Sequence, residues 1–279
     1  MPVSPGEFSA LSDLIRRRSG FVLAADGIVL AQSRLKIVAD RFGFRNIAAL
    51  LAELPYPPEE LARAIVDTMM INETSFFRNR TVFDHLAEAV IPALVKARET
   101  KRRLRVWCAA ASTGQEAYSL AMLLDAADLP ARGWRIDLIG TDLSEEAVAR
   151  AQSGLYSEFE AERGLAHELL AHNLVKTGKD VRVADRLRRM VTFRTFNLLD
   201  HFGWLGELDL VLCRNVLFYL APSERARIQA KLASTIAADG VLVLGENEPL
   251  PEFFRPQGLA KGIFVKSHGA GRSSQRLAG

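Results

Sequence analysis

The chain has 279 residues, 49% hydrophobic and 25% charged, with a net charge of +3. This is an ordinary globular composition with enough apolar surface for a substantial core, and the small basic excess reads as solubilising. No run of 18 or more apolar residues occurs, which excludes a transmembrane helix, and residues 1–9 lack the basic-then-apolar pattern of a secretory signal.

From about residue 8 to residue 70 the apolar positions recur at helical spacing: Phe8, Leu11, Leu14 and Ile15, then Leu35, Val38 and Phe42, then Leu50, Leu51 and Leu54. Pro58 with Glu59 and Glu60 marks a helix start, because proline suits a first turn and acids suit the positive end of the helix dipole. Leu61, Ile65 and Met69 continue that helix. Residues 1–70 are therefore expected to form a small all-helical domain.

Beyond it, strand-like runs at 104–110, 136–143, 191–196, 208–213, 241–244 and 263–265 alternate with helical segments at 115–127, 144–152 and 222–237. The alternation predicts an α/β domain over 71–267, with a mostly parallel sheet covered on both faces. The run 174–183, folded about Thr177-Gly178-Lys179-Asp180, is a hairpin signal. It predicts a small β appendage around 172–190. Residues 268–279, rich in Gly, Ser and Arg, read as a flexible tail.

Ligands of an open α/β sheet bind beyond the carboxyl ends of its strands. After the first strand comes Ala109-Ala110-Ala111-Ser112-Thr113-Gly114, whose small residues suit either close approach of a ligand or tight strand–helix packing. The loop is neither GxGxxG nor a P-loop. Asp142, at the end of the next strand, sits where dinucleotide folds place an acid for ribose hydroxyls, although an acid before Leu143-Ser144 also fits a helix cap. Asn197 and Asn215 follow two further strands. Each reads as a turn residue in isolation and as part of a site in combination. Cys108 and Cys213 have no CxxC spacing, and the five histidines are scattered, so no disulfide framework and no metal site are expected, and the setting reads as cytoplasmic.

Five segments in order carry a resemblance: 72–78 (NETSFFR), 107–119 (WCAAASTGQEAYS), 140–144 (GTDLS), 196–198 (FNL) and 213–219 (CRNVLFY). Together they resemble the chemotaxis receptor methyltransferases, the CheR family, over nearly the whole chain. The resemblance implies a class I, Rossmann-like methyltransferase domain that uses S-adenosylmethionine and releases S-adenosylhomocysteine. It implies methyl transfer to glutamate side chains of membrane chemoreceptors, at their cytoplasmic methylation helices. Carried over residue by residue, it implies that Asn72, Thr74 and Arg78 contact the cofactor from an interdomain linker. Glu116 would face its amino-acid end, Asp142 its ribose, and Asn197, Leu198, Arg214 and Asn215 would complete the pocket. Arg78 and Tyr219 would act beside the transferred methyl group.

There are departures from the family pattern. Gln115-Glu116-Ala117-Tyr118-Ser119 replaces the usual Glu-Glu-Pro-Tyr-Ser and leaves Glu116 as the acid. Gly245-Glu246-Asn247-Glu248 replaces Gly-His-Ser-Glu. The appendage has a short turn with Gly178 as its only glycine, where some members carry a longer loop that binds a receptor pentapeptide; no tethering pentapeptide is expected here. Arg34, Lys36, Arg41 and Arg45 form a basic stretch expected to dock on acidic receptor helices. Neither a nucleic-acid partner nor membrane insertion is expected. Two rivals remain: a nicotinamide oxidoreductase, disfavoured by the missing GxGxxG, and a non-catalytic domain that senses S-adenosylmethionine or scaffolds a signalling complex.

Overall fold

The computed structural model describes residues 3–24, 27–165, 167–257 and 261–267. The expected tail at 268–279 lies outside the described residues.

Four helices open the chain: α1 (Pro5–Ser19), α2 (Ile28–Arg41), α3 (Ile47–Leu51) and α4 (Glu59–Met69). The start of α1 is fixed by Ser4 and Glu7, which satisfy each other's backbone donors in a capping box, and its end by Gly20 at φ +77°. Pro58 caps α4, with Glu59 and Glu60 in the first turn. The apolar stripes converge on one core through Leu11, Ile15, Leu35, Val38, Leu50, Leu61 and Ile65.

A linker then leads to a long helix the sequence reading did not anticipate: α5 (Arg80–His85), one π turn over Leu86–Val90, and α6 (Ile91–Ala97). Pro92 stands one residue past the π turn, after Ile91. A proline cannot donate within a helix, and that local break in the ladder accompanies the wider turn.

The remaining elements are β1 (Arg103–Ala109), α7 (Gln115–Ala126), β2 (Arg135–Asp142), α8 (Glu145–Ser153), β3 (Leu155–Ser157), α9 (Glu158–Glu162), α10 (His167–Asn173), β4 (Leu174–Thr177), β5 (Asp180–Val183), α11 (Asp185–Arg188), β6 (Val191–Thr195), β7 (Leu208–Cys213), α12 (Pro222–Thr235), β8 (Ile236–Leu244), β9 (Phe254–Pro256) and β10 (Ile263–Lys266). The main sheet runs β6-β2-β1-β7-β8-β10-β9. Its first five strands are parallel, and β10 and β9 add antiparallel at one edge. The chain winds outward from β1 to β2 and β6, then returns to β7 on the other side of β1. The switch point is therefore the gap between β1 and β7, where the loops after these two strands part and leave a crevice.

Helix α12 ends two residues before the expected limit of 237. Ile236 pairs with Leu208 of β7 and is buried, so sheet pairing takes it out of the helix. The hairpin β4–β5 forms as expected, with Gly178 at φ +64° in its turn. A third strand, β3, pairs with β5, so the appendage is a three-stranded sheet. Three residues are too short a run to signal a strand alone; β3 owes its form to the partner it meets. Among the described residues, no helix is long and apolar enough to cross a membrane.

Candidate active site

The crevice at the switch point is an open cleft between the strand-tip loops and the linker, the usual place for a ligand in such a sheet. Asn72, Thr74, Arg78, Glu116, Asp142, Asn197, Leu198, Arg214, Asn215 and Tyr219, the ten residues singled out above, all line it. They come from five separate stretches of chain. Ser19, Phe21, Met70, Ile71, Glu73, Ser112 and Phe196 line it too and were not singled out.

The loop after β1 is tightly wound. Ala110, Ser112 and Gly114 all have positive φ, at +54°, +51° and +95°. A Cβ on Gly114 would come within 2.8 Å of the Ala151 Cβ, so this glycine serves helix packing rather than ligand approach. The Thr113 hydroxyl donates to Gln115 Oε1 (2.8 Å), and the Tyr156 hydroxyl donates to the Thr113 carbonyl (2.6 Å). Gln115 is thereby turned into the protein, and Glu116 is the α7 side chain that reaches the cleft.

Asp142 stands at the tip of β2. Its Oδ2 accepts from Ser112 N–H (2.7 Å) and its Oδ1 from Ser144 N–H (3.0 Å). Burial pushes its pKa up, and the backbone donors oppose that rise. The carboxylate ties the β1 and β2 loops together, and Ser144, not Asp142, caps α8 through Ala147 N–H. A carboxylate offers about four acceptor positions. Two backbone donors leave the capacity a pair of ribose hydroxyls requires.

Arg214, after β7, is 5% exposed and its Nη1 donates to Glu116 Oε2 at 2.5 Å. Its guanidinium lies 5.7 Å from the Phe83 ring centroid. Arg214 Nε and Nη2 are buried without a partner, an unmet donor capacity that a carboxylate-bearing ligand would satisfy. With Glu116 beside it as an acceptor for an ammonium group, the pair fits the two charges of an amino-acid moiety. Asn215 follows at φ +59°, a conformation asparagine tolerates better than most residues. A Cβ on Gly245 would come 2.8 Å from Asn215 Nδ2, which explains the glycine there.

Glu248, in the segment that departs from the family pattern, turns out to brace the site. Its Oε1 accepts from Val216 N–H (2.7 Å) and Leu217 N–H (3.1 Å), and burial pushes its pKa up. It holds the short loop that carries Asn215 and Tyr219. The signal was present, since Gly245 and Glu248 are the two residues shared with the family at that point, but an acid 29 positions past Tyr219 has no local pattern to give it a role.

Asn197 reaches the cleft with half of its amide in use: Nδ2 donates to the Arg18 carbonyl (2.6 Å) and Oδ1 accepts from Leu199 N–H (3.0 Å). Its side chain ties the loop after β6 to the end of α1 and keeps one N–H and one acceptor position beyond these bonds. Arg78 donates from Nη1 to the Glu73 carbonyl (2.8 Å), which folds the linker on itself. The Ser112 hydroxyl donates to the Asn72 carbonyl (3.0 Å), and Ser119 accepts from Phe77 N–H (2.9 Å), so the linker is pinned over the sheet.

Of the basic stretch, Lys36, Arg41 and Arg45 are exposed. Arg34 is not free: its Nη1 donates to the Met69 carbonyl (2.8 Å) at the end of α4. That bond helps hold the start of the linker, a structural part that the sequence did not show. Cys108 and Cys213 are fully buried and burial pushes both thiols well up, so neither can serve as a nucleophile.

Comparison with known proteins places these observations. Residues 72–261 match the family model described as "CheR methyltransferase, SAM binding domain". The chain is 31% identical over 274 residues to chemotaxis protein methyltransferase 1 of Pseudomonas aeruginosa, covering 96% of this chain and 100% of that one. It is also 31% identical over 252 residues to a chemotaxis protein methyltransferase of Vibrio parahaemolyticus, covering 89% of this chain and 90% of that one. A glycopeptide N-methyltransferase, MtfA, solved with (S)-adenosyl-L-methionine overlays with a TM-score of 0.33 and 18% identity, covering 62% of this chain and 58% of the other, too loosely to carry an argument.

Proposed function

This chain belongs to the CheR methyltransferase family, and on that footing we propose that it transfers the methyl group of S-adenosylmethionine to glutamate side chains of chemoreceptors, giving glutamyl methyl esters. The observation that carries the reading is the meeting of linker and strand tips on one cleft, Arg78 from the linker with Asp142, Glu116 and Arg214 from the sheet and its loops.

When bound, S-adenosylmethionine supplies a methyl carbon made electrophilic by its sulfonium. The acceptor carboxylate is ionised at neutral pH, its reference pKa being about 4.3. No general base is required, and the residues need only hold the reactants in line at attack distance. The Glu116–Arg214 pair holds the ammonium and carboxylate of the donor, and Asp142 its ribose. Arg78 keeps N–H groups beyond the one donated to Glu73, enough to hold a carboxylate at the linker side. Tyr219 orients the acceptor through its hydroxyl.

The receptor partner is read from chemistry. Lys36 and Arg41 sit on exposed positions of α2, whose Val29, Leu30 and Ile37 are also strongly exposed. An apolar strip flanked by cations suits the face of an acidic amphipathic helix. The two-residue turn of the appendage leaves no long glycine-rich loop for a tether, so methylation proceeds without a pentapeptide. Calorimetric titration with such a peptide checks this, and micromolar binding would refute it. The protein acts in the cytoplasm, where receptor methylation helices lie.

The deciding experiment is transfer of a radiolabelled methyl group to receptor-containing membranes, followed by base treatment. Base-labile release as methanol identifies an ester. Base-stable label, or none, would overturn the reading.

A further inference from the structure

Tyr219 is held by a segment from the other end of the chain. After α1 the backbone turns at Gly20 and runs antiparallel to the loop after β7, with Phe21 and Leu220 forming an isolated β-bridge. Val22 N–H donates to the Tyr219 carbonyl (2.8 Å), and Ala221 N–H donates to the Gly20 carbonyl (3.0 Å). The Phe21 ring stacks on the Tyr219 ring, with centroids 5.6 Å apart and planes 13° from parallel. Phe21 packs against both the helical core and the core behind β7. A Cβ on Gly20, already at φ +77°, would come within 3.2 Å of Leu199 and Leu220, so the segment lies close on the loops it crosses.

We propose that Phe21 is a positioning residue for Tyr219, and that the 19–23 segment of the helical unit is a strap that fixes the tyrosine hydroxyl for methyl transfer. The hydroxyl oxygen lies on the long axis of its ring, so its place is set by the backbone and by χ1, not by ring flips. The strap holds the first through two hydrogen bonds and the second through a stacked face. Glu248 braces the same loop from the sheet side. The helical unit thus takes part in the chemistry besides any docking it performs. The inference rests on the reading that Tyr219 orients the acceptor.

The test uses the full-length protein and its Phe21→Leu, Phe21→Tyr, Tyr219→Phe and Phe21→Leu/Tyr219→Phe variants. Turnover with receptor membranes, the S-adenosylhomocysteine dissociation constant and the melting temperature are measured for each. Phe21→Leu keeps an apolar side chain but removes the stack, and turnover is expected to fall about fivefold, the rate equivalent of one aromatic pair. Affinity and melting temperature should stay near those of the parent. Phe21→Tyr restores the stack and the turnover. The double variant is expected to be no slower than Tyr219→Phe alone, because both changes remove the same positioning.

Parent-like turnover in Phe21→Leu overturns the inference. So does a loss confined to cofactor affinity, or a double variant in which the two losses multiply. Parent-like turnover in Tyr219→Phe overturns instead the role given to Tyr219, and the inference with it.

Discussion

On the strand-tip wall of the cleft, Asp142, Glu116 and Arg214 are all less than 10% exposed, and each is bonded within the sheet or its loops. On the linker wall, Asn72 and Glu73 are exposed, and the segment is pinned at a few points: Arg34 to Met69, Ser112 to Asn72, Arg78 to Glu73 and Arg163 to Glu73. Buried charges fixed before any ligand arrives interact strongly and need no reorganisation. The linker segment ends in Phe76 and Phe77, which are buried in the core beneath the sheet's helices, so it is open at its start and anchored just before Arg78. The contrast is between a wall of buried, mutually bonded charges and a wall whose first residues are open to solvent.

The sharpest way to break this contrast is Arg214→Met. It leaves Glu116 buried without its cation, which costs about 3–5 kcal/mol of stability. Thermal unfolding should show the loss, and calorimetry should show no S-adenosylhomocysteine binding; a melting temperature equal to the parent's would mean the strand-tip wall is not built on this pair.

Glu248→Ala probes the same wall from behind. Two backbone donors of the Tyr219 loop lose their acceptor, at a cost of about 2 kcal/mol. Glu248→Gln keeps an accepting oxygen and should retain most of the stability and turnover.

Arg78→Ala tests the opposite wall. Turnover should fall at least tenfold, about 1.4 kcal/mol of transition-state stabilisation, with the melting temperature unchanged. A stability loss like that of Arg214→Met would erase the difference between the walls.

Asp67 sits near the foot of the linker. Burial, with Glu145 and Asp142 nearby, raises its pKa to about 6, and its Oδ1 is buried without a partner. The folded protein binds this proton more tightly than the unfolded chain, whose carboxyl titrates near 3.9. Stability therefore falls as pH rises from about 4 to about 6 and is flat above. Asp67→Asn should raise the melting temperature above pH 6 by about 2–4 °C, roughly 1 kcal/mol, and change little at pH 4. Equal gains at both pH values would show that ionisation is not the cause.

The smallest effect concerns the docking face. Lys36→Glu with Arg41→Glu should raise the KM for receptor membranes mainly at low ionic strength, the effect fading as the Debye length shrinks to about 3 Å at 1 M salt. Arg34 is excluded from that pair, because its loss would loosen the linker instead.

Much of this was legible beforehand. Helices α1, α2 and α4 announced themselves by apolar spacing and, for α4, by its Pro-Glu-Glu start. Strands β1, β2 and β7 were readable as short buried runs ending in small or polar residues. The long helix of residues 80–97 and strand β3 were not. The first is interrupted by a π turn and Pro92, which blur its period, and the second is three residues defined by its partner β5. The bond of Arg34 to the end of α4 was not legible either, because a guanidinium on a helix looks the same in sequence whether it faces water or two carbonyls.

The sequence by itself determined the element types, the polar residues at the strand tips and the motifs that identify the family, because local periodicity and short contiguous motifs are properties of neighbouring residues. The tertiary structure alone decided that Glu116 pairs with Arg214, that Asn197 is committed to Arg18, that Glu248 braces the Tyr219 loop and that Phe21 lies on the Tyr219 ring. Each of those contacts joins positions that only the winding of the sheet and the return of the α1 end bring within bonding distance, and no local pattern in the chain records them.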